Sequence, residues 1–253
     1  MKKIIIISAV ILLIISVSFA IYPTASRLIT KHKCENDIKK FDIITDNVQE
    51  GSYEDALEKD IVNEDGCLSD SDNELPVLFK EDLERLYSDS LSYNNNLHFS
   101  QMIRHSSDFE QSALNLRSYG ITNEMYGYIN IPCIELSLPI YLGATDYNMR
   151  NGAAHLNATS LPIGGENTNT VLAGHTGYSG KTFFDNIKTL TLGDKIVIKN
   201  YFDTLKYEVC DIQQIENDEL SRVFIQNGKD YVSLLTCSNG GTTRLLVVCE
   251  RVE

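Results

Sequence analysis

The sequence predicts a mainly β domain, a closed barrel or a sandwich with short interposed helices, preceded by a helical region and one membrane-spanning helix. Three observations predict it. From Met125 onward, seven short β-branched and aromatic runs are punctuated by Gly, Pro, Asn and Asp. Pro76–Leu97 repeats apolar residues close to helical period. Ile4–Tyr22 is nineteen residues without a charge, long enough to cross a bilayer.

The apolar run is preceded by Lys2 and Lys3 and followed by Arg27, Lys31 and Lys33. A secretory signal peptide has a shorter apolar core and a small-residue cleavage site, for which Ser18–Ala20 is a weak match. Residues 1–24 are therefore expected to be an uncleaved signal-anchor. Positive charge on both flanks leaves the orientation to the bulk of the chain, which is C-terminal and expected outside the cell. No second apolar run of this length follows, so the expectation is a single-pass cell-membrane protein.

The net charge of −13 argues against nucleic acid as a partner. Most of it comes from residues 35–75, with fourteen Asp/Glu against three Lys. Such a segment reads as solvated and partly mobile, or as a partner-binding surface. Residues 35–49 have helical apolar spacing, and an acidic linker follows to about residue 74. The next helix opens at Pro76, carries Leu78, Leu83, Leu86, Tyr87 and Leu91, and fades in Asn94–Asn96. Residues 25–119 are thus an acidic linker and helical pre-domain, with a lid as one role for it. Residues 120–253 are the β domain.

The strand runs are "YGYINI", "IELSLPIY", "NTVLAGH", "DKIVIKN", "TLKYEVCDI", "DYVSLLTC" and "RLLVVCERV". Short helices are expected over 145–153 ("TDYNMRNGA") and 181–187 ("KTFFDNI"). The six cysteines have no compact disulfide spacing, and no CxxC or HxxxH pair suggests zinc. No metal or cofactor is expected. Cys133 and Cys210 read as buried strand residues.

The C-terminal stretch "SLLTCSNGGTTRLLVVCERV", Ser233–Val252, reads as a hairpin. Antiparallel pairing across a six-residue loop sets Cys237 opposite Arg244, Leu235 opposite Leu246 and Ser233 opposite Val248. Cys249 then faces the other way, opposite Val232, where a disulfide to Cys237 would have to cross the sheet. A thiol beside a permanent cation is an environment that favours thiolate. The rival reading is a small core hydrophobe and an edge charge. "TVLAGHTG" also ends an apolar strand in a polar residue and a flexible exit, at Gly174-His175. Three strand ends bringing Cys237, His175 and Arg244 to one rim suit acyl transfer: thiolate attack, imidazolium as acid, guanidinium holding developing charge. Thr236 is a hydrogen-bonding strand terminus or shapes substrate contacts. His155 reads as structural, and His98 and His105 have no evident catalytic partner. Gly240-Gly241 gives the hairpin its turn freedom.

These residues resemble the sortases, Gram-positive cell-surface cysteine transpeptidases. The motifs that carry the resemblance are "LLTC" (Leu234–Cys237), close to the family's TLxTC, with Arg244 after it, and "LAGH" (Leu172–His175). It extends through "YGYINIPCIELSLPIYLGAT" (Tyr126–Thr145) and "GAAHLNATSLPIGGENTNTVLAGH" (Gly152–His175) and is dense over about residues 120–252. The resemblance implies a closed eight-stranded barrel and a triad of Cys237 as nucleophile, His175 as general acid/base and Arg244 as stabiliser of substrate and transition state. It implies cleavage of an LPXTG-type sorting signal between Thr and Gly, with the acyl group held as a thioester and passed to an amine. His175 and Cys237 are 62 residues apart, too few for the helical insertion typical of class B. "YPTASRLITKH" (Tyr22–His32), the helix near 78–93 and "HLNATSLPIGGENTNTVLAGH" are most similar to class C, which polymerises pilins. The Asp-Pro-Trp/Phe lid tripeptide of many class C enzymes does not occur, and "SSDFEQS" (Ser106–Ser112) is the nearest stretch. The implied partners are sorting-signal proteins and an amine acceptor, a pilin lysine or a peptidoglycan cross-bridge. The other readings are a housekeeping sortase anchoring proteins to peptidoglycan, a cysteine peptidase using water, and a non-catalytic exterior β-barrel binding module.

Overall fold

Eight strands form in the C-terminal half: β1 (Met125–Ile131), β2 (Leu136–Leu142), β3 (Ala153–His155), β4 (Thr168–Ala173), β5 (Lys195–Asn200), β6 (Thr204–Glu216), β7 (Asp230–Ser238) and β8 (Thr243–Val252). The structure is a computed structural model and describes residues 2–69, 75–100, 110–177, 182–217 and 219–252. The strands close into a barrel in the order β1-β2-β3-β4-β7-β8-β6-β5. Alternation drives the closure. In β5, Ile196 and Ile198 are fully buried while Lys195 is exposed and Val197 and Lys199 are half-buried. The inward side chains, among them Ile129, Ile140, Leu172, Leu234 and Val247, form the barrel's apolar interior.

Two neighbour pairs are parallel, β2 with β3 and β4 with β7. The second matters most here. Parallel neighbours end at the same rim, so the chain leaving β4 and the chain leaving β7 emerge side by side. β8 runs antiparallel to β7 and starts at that rim. β3 was not among the strand runs of the sequence, because three residues are too few to show alternation. The helix expected over 145–153 is α4 (Asp146–Met149), capped by the Thr145 hydroxyl accepting from Asn148 N. The helix expected over 181–187 is not formed by the described residues 182–187. Phe183 and Phe184 are consecutive and both fully buried, which a one-faced surface helix cannot provide, and only a 3-10 turn follows at Ile187–Thr189.

Three further helices precede the barrel. α1 (Lys2–Thr45) runs without interruption through Pro23 and out of the apolar stretch. It is a helix long and apolar enough to cross a membrane. Its far end docks on β1 and β2, where Cys34, Phe41 and Ile44 are buried. The described part of the acidic segment is more ordered than its composition suggests. α2 (Tyr53–Glu58) buries Ala56, which packs with Val62, Val77 and Phe79, while the acids face outward. α3 (Lys80–Ser100) continues through the asparagines that seemed to end it, because Asn94 finds a partner in the barrel. Its side chain donates to Leu161 O (3.2 Å) and accepts from Leu161 N (2.7 Å). Ser90 bonds the buried Tyr126 hydroxyl at 2.8 Å, and Tyr93 donates to Asn157 Oδ1 at 2.9 Å. α3 is thus packed on the barrel through apolar contacts and a polar seam. His98 lies on α3, whereas His105 and residues 106–109 of "SSDFEQS" lie outside the described residues.

Candidate active site

The β7–β8 register is the one the hairpin reading predicts: Cys237 pairs with Arg244, Leu235 with Leu246, Ser233 with Val248 and Val232 with Cys249. Residues on one face of a strand alternate, so Cys237 and Arg244 share the outer face and Cys249 lies in the interior. Arg244 Nη1 reaches the Cys237 sulfur at 3.4 Å and the Gly241 carbonyl at 3.4 Å. The connecting turn needs left-handed backbone at Gly240 (φ 67°) and Gly241 (φ 93°), where glycine is free of strain. Cys237 is exposed and Arg244 half-buried.

His175 reaches the same rim through the parallel pair. Ala173 is level with Leu235, and Gly174 N donates to Leu235 O at 3.2 Å. His175 follows Ala173 by two residues, as Cys237 follows Leu235, so both lie at the same rim. Thr236 locks this juxtaposition from the inner face. Thr236 is 5 % exposed, and its hydroxyl donates to Gly174 O at 2.6 Å and lies 2.6 Å from the Thr176 hydroxyl. The chain passes so close to the Phe184 ring at Gly174 that a Cβ there would lie 2.7 Å from it. Beyond His175, Asp185 accepts from Gly177 N (2.8 Å) and from Phe183 N (3.1 Å), and Phe184 N donates to His175 O (3.0 Å). Asp185 gave no signal in the sequence, where a carboxylate in a Gly-rich loop region looks like any surface acid.

The outer face beside Cys237 is apolar. Ala173 and Leu235 are half-buried and pack on a cluster containing Val171, Leu246, Ile215 and Val223. His155 lies elsewhere and is fully buried. Its Nε2 sits 3.1 Å from Thr159 O and 3.0 Å from Ser160 O, and burial pulls its pKa from 6.5 down to about 4. Cys133 and Cys210, expected to be buried, are exposed. Cys133 sits in a 3-10 turn, Pro132–Ile134, and Cys210 is the bulged residue of β6 between Val209 and Asp211. Burial is still the largest cause raising both thiol pKa values, since neighbouring atoms shield the sulfurs. Among the described residues, no group of three His, Cys, Asp or Glu could hold a metal ion.

A sequence profile of the sortase domain matches residues 129–252. Sortase C-1 of Actinomyces oris superposes with a TM-score of 0.60 at 35 % identity, over 68 % of this chain and 99 % of that one. This chain belongs to the sortase family. The pilus island 1 sortase C2 of Group B Streptococcus gives a TM-score of 0.62 at 32 % identity, over 69 % of this sortase and 99 % of that chain. These solved structures are class C sortases. Sortase A of Bacillus anthracis is 31 % identical over 114 residues, which are 45 % of this sortase and 52 % of that protein. The match thus spans about half the length of that curated relative.

Proposed function

We propose that this sortase is a membrane-anchored cysteine transpeptidase that joins proteins through an LPXTG-type sorting signal. The contact of Arg244 with the Cys237 sulfur, at the rim where His175 emerges, carries the reading. The Cys237 sulfur attacks the Thr carbonyl carbon of the signal, and the negative charge that develops on the oxygen is met by the Arg244 guanidinium. His175 gives a proton to the departing glycine amine, which breaks the Thr–Gly bond and leaves a thioester on Cys237. An incoming amine attacks the thioester, loses its proton to His175, and releases the thiolate. The half-buried Ala173 and Leu235, next to Cys237 on the outer face, suit the apolar residues of the signal.

Joining pilin subunits is the role we assign, supported by the class C structures this sortase resembles, one of them named for a pilus island. The acceptor is then a pilin lysine. α1 places the barrel at the membrane, with Ile4–Tyr22 as the span and the catalytic domain outside. The test uses the full chain in detergent micelles with an LPXTG-type peptide, with and without an added amine. Wild type should give an amine-linked product, and Cys237→Ala should give no cleavage. Cleavage that ignores the amine would make the protein a peptidase, and an intact peptide with wild type would leave the binding-module reading.

A further inference from the structure

We propose that Asp185 is a positioning residue for His175. The proposal rests on the reading of His175 as the proton carrier. His175 lies two residues beyond the end of β4, in a loop, so something other than the strand ladder has to set its place. Two clamps grip the backbone around it. On one side the Thr236 hydroxyl holds Gly174 O and Thr176 Oγ1, which ties the loop to the strand that carries Cys237. On the other side the Asp185 carboxylate bridges the neck of the loop. One oxygen takes Gly177 N, two residues after His175, and the other takes Phe183 N. Charge-assisted bonds of this kind are about twice as strong as neutral ones, and two of them at fixed spacing set the width of the neck.

The second clamp refers the loop to the barrel core. Phe183 and Phe184 are fully buried among the interior residues, Phe184 N donates to His175 O, and the Phe184 ring packs on Gly174. Asp185 therefore joins Gly177, two residues after His175, to the segment whose Phe183 and Phe184 side chains are buried in the barrel core. Without the carboxylate the Gly177 and Phe183 amides would turn to water, and the tie between them across the loop would be lost. Proton transfer to a leaving amine depends steeply on such alignment, and a displacement of about 1 Å can cost on the order of 100-fold.

The experiment uses Asp185→Ala and Asp185→Asn in the full chain in detergent micelles, with two readouts. In transpeptidation of an LPXTG-type peptide, Asp185→Ala should lower kcat about 10- to 100-fold with KM changed less than about 2-fold. Asp185→Asn keeps one carbonyl oxygen as acceptor and should lose less. The second readout needs no sorting signal. The rate of Cys237 alkylation by iodoacetamide is followed by mass spectrometry from pH 5 to 9. Coupled groups titrate together, so the wild-type profile should contain a step that His175→Gln removes, and Asp185→Ala should shift or erase that step. A profile for both Asp185 variants that superimposes on wild type overturns the proposal. If wild type cleaves no sorting-signal peptide, the transpeptidase reading fails while the alkylation profiles still decide the role of Asp185.

Discussion

At the scale of single residues, the Cys237–Arg244 contact defines what Arg244 can do. A guanidinium presents a planar fork of donors, one of which already reaches sulfur and the Gly241 carbonyl. Lysine carries three rotatable donors on one flexible ammonium and lacks the planar fork that holds these acceptors while presenting further donors at fixed spacing. If Arg244 acts mainly on transition-state charge, Arg244→Lys lowers kcat and kcat/KM together by about 100-fold or more, with KM nearly unchanged. Near-normal turnover of Arg244→Lys would reduce Arg244 to a rim charge. His155 carries a second residue-scale prediction, about stability. Its folded pKa, about 4, lies below the unfolded 6.5 because burial disfavours the cation. Its contribution is therefore fully present above pH 6.5 and is lost as pH falls from 6.5 toward 4, since only the unfolded chain then takes the proton. From pH 7.5 to 5 this amounts to about 2 kcal/mol. Urea midpoints measured at pH 7.5 and 5 should differ markedly in wild type and by less in His155→Gln. Equal pH slopes in the two proteins would assign the loss to other groups.

At the scale of elements, what the sequence made legible was whatever rests on local pattern. Seven strand runs and the β7–β8 register follow from alternation, and the pairing of Cys237 with Arg244 follows from register alone. Elements whose cause lies elsewhere in the chain were hidden. β3 exists because Ala153–His155 pair with β2 and β4. Phe183 and Phe184 are drawn into the barrel instead of forming a helix face. α3 runs through three asparagines because Asn94 meets Leu161. The last case changes what α3 is expected to do. A lid can be removed without harm, but α3 buries its own Leu86 in one cluster with Tyr126, Leu142 and Leu161 of the barrel domain. A fragment starting at Gly120 would expose this cluster and strip partners from Leu161 N, Leu161 O and the Tyr126 hydroxyl. Water can take up the stripped polar groups, so the loss comes chiefly from the apolar burial given up, about 25 cal/mol per Å². The fragment should therefore show no cooperative thermal transition by circular dichroism. A sharp transition with activity above that of the full chain would restore the lid role for α3.

At the scale of the whole molecule, α1 runs without interruption from an apolar stretch long enough to cross a membrane to its docking site on the barrel. Its 44 residues make a rod of about 66 Å, of which a bilayer core takes about 30 Å. The rest is held against the barrel by two kinds of contact. One is apolar: Phe41 is 1 % exposed, meets Tyr128 edge-on at 5.9 Å and Tyr201 at 4.8 Å, and packs with Ile38 and Met125. The other is polar: Asp42 Oδ1 accepts from Lys199 Nζ at 2.7 Å and from the Tyr128 hydroxyl at 3.3 Å, and the bond to Asp42 raises the Lys199 pKa. Their magnitudes differ. The Lys199–Asp42 pair is partly solvated, and such pairs are worth about 0–1 kcal/mol. Truncating a buried Phe costs about 3–5 kcal/mol. The docking of α1 on the barrel should therefore depend on Phe41 and little on Asp42. Lys39 and Lys40, exposed on α1 beside Phe41, report undocking through trypsin cleavage, which needs the helix to unwind. Phe41→Ala should be cut there many times faster than wild type in the full chain in micelles, and Asp42→Asn only slightly faster. Equal sensitivity of the two variants would mean that the ion pair, and not the aromatic contact, fixes the barrel to its anchor.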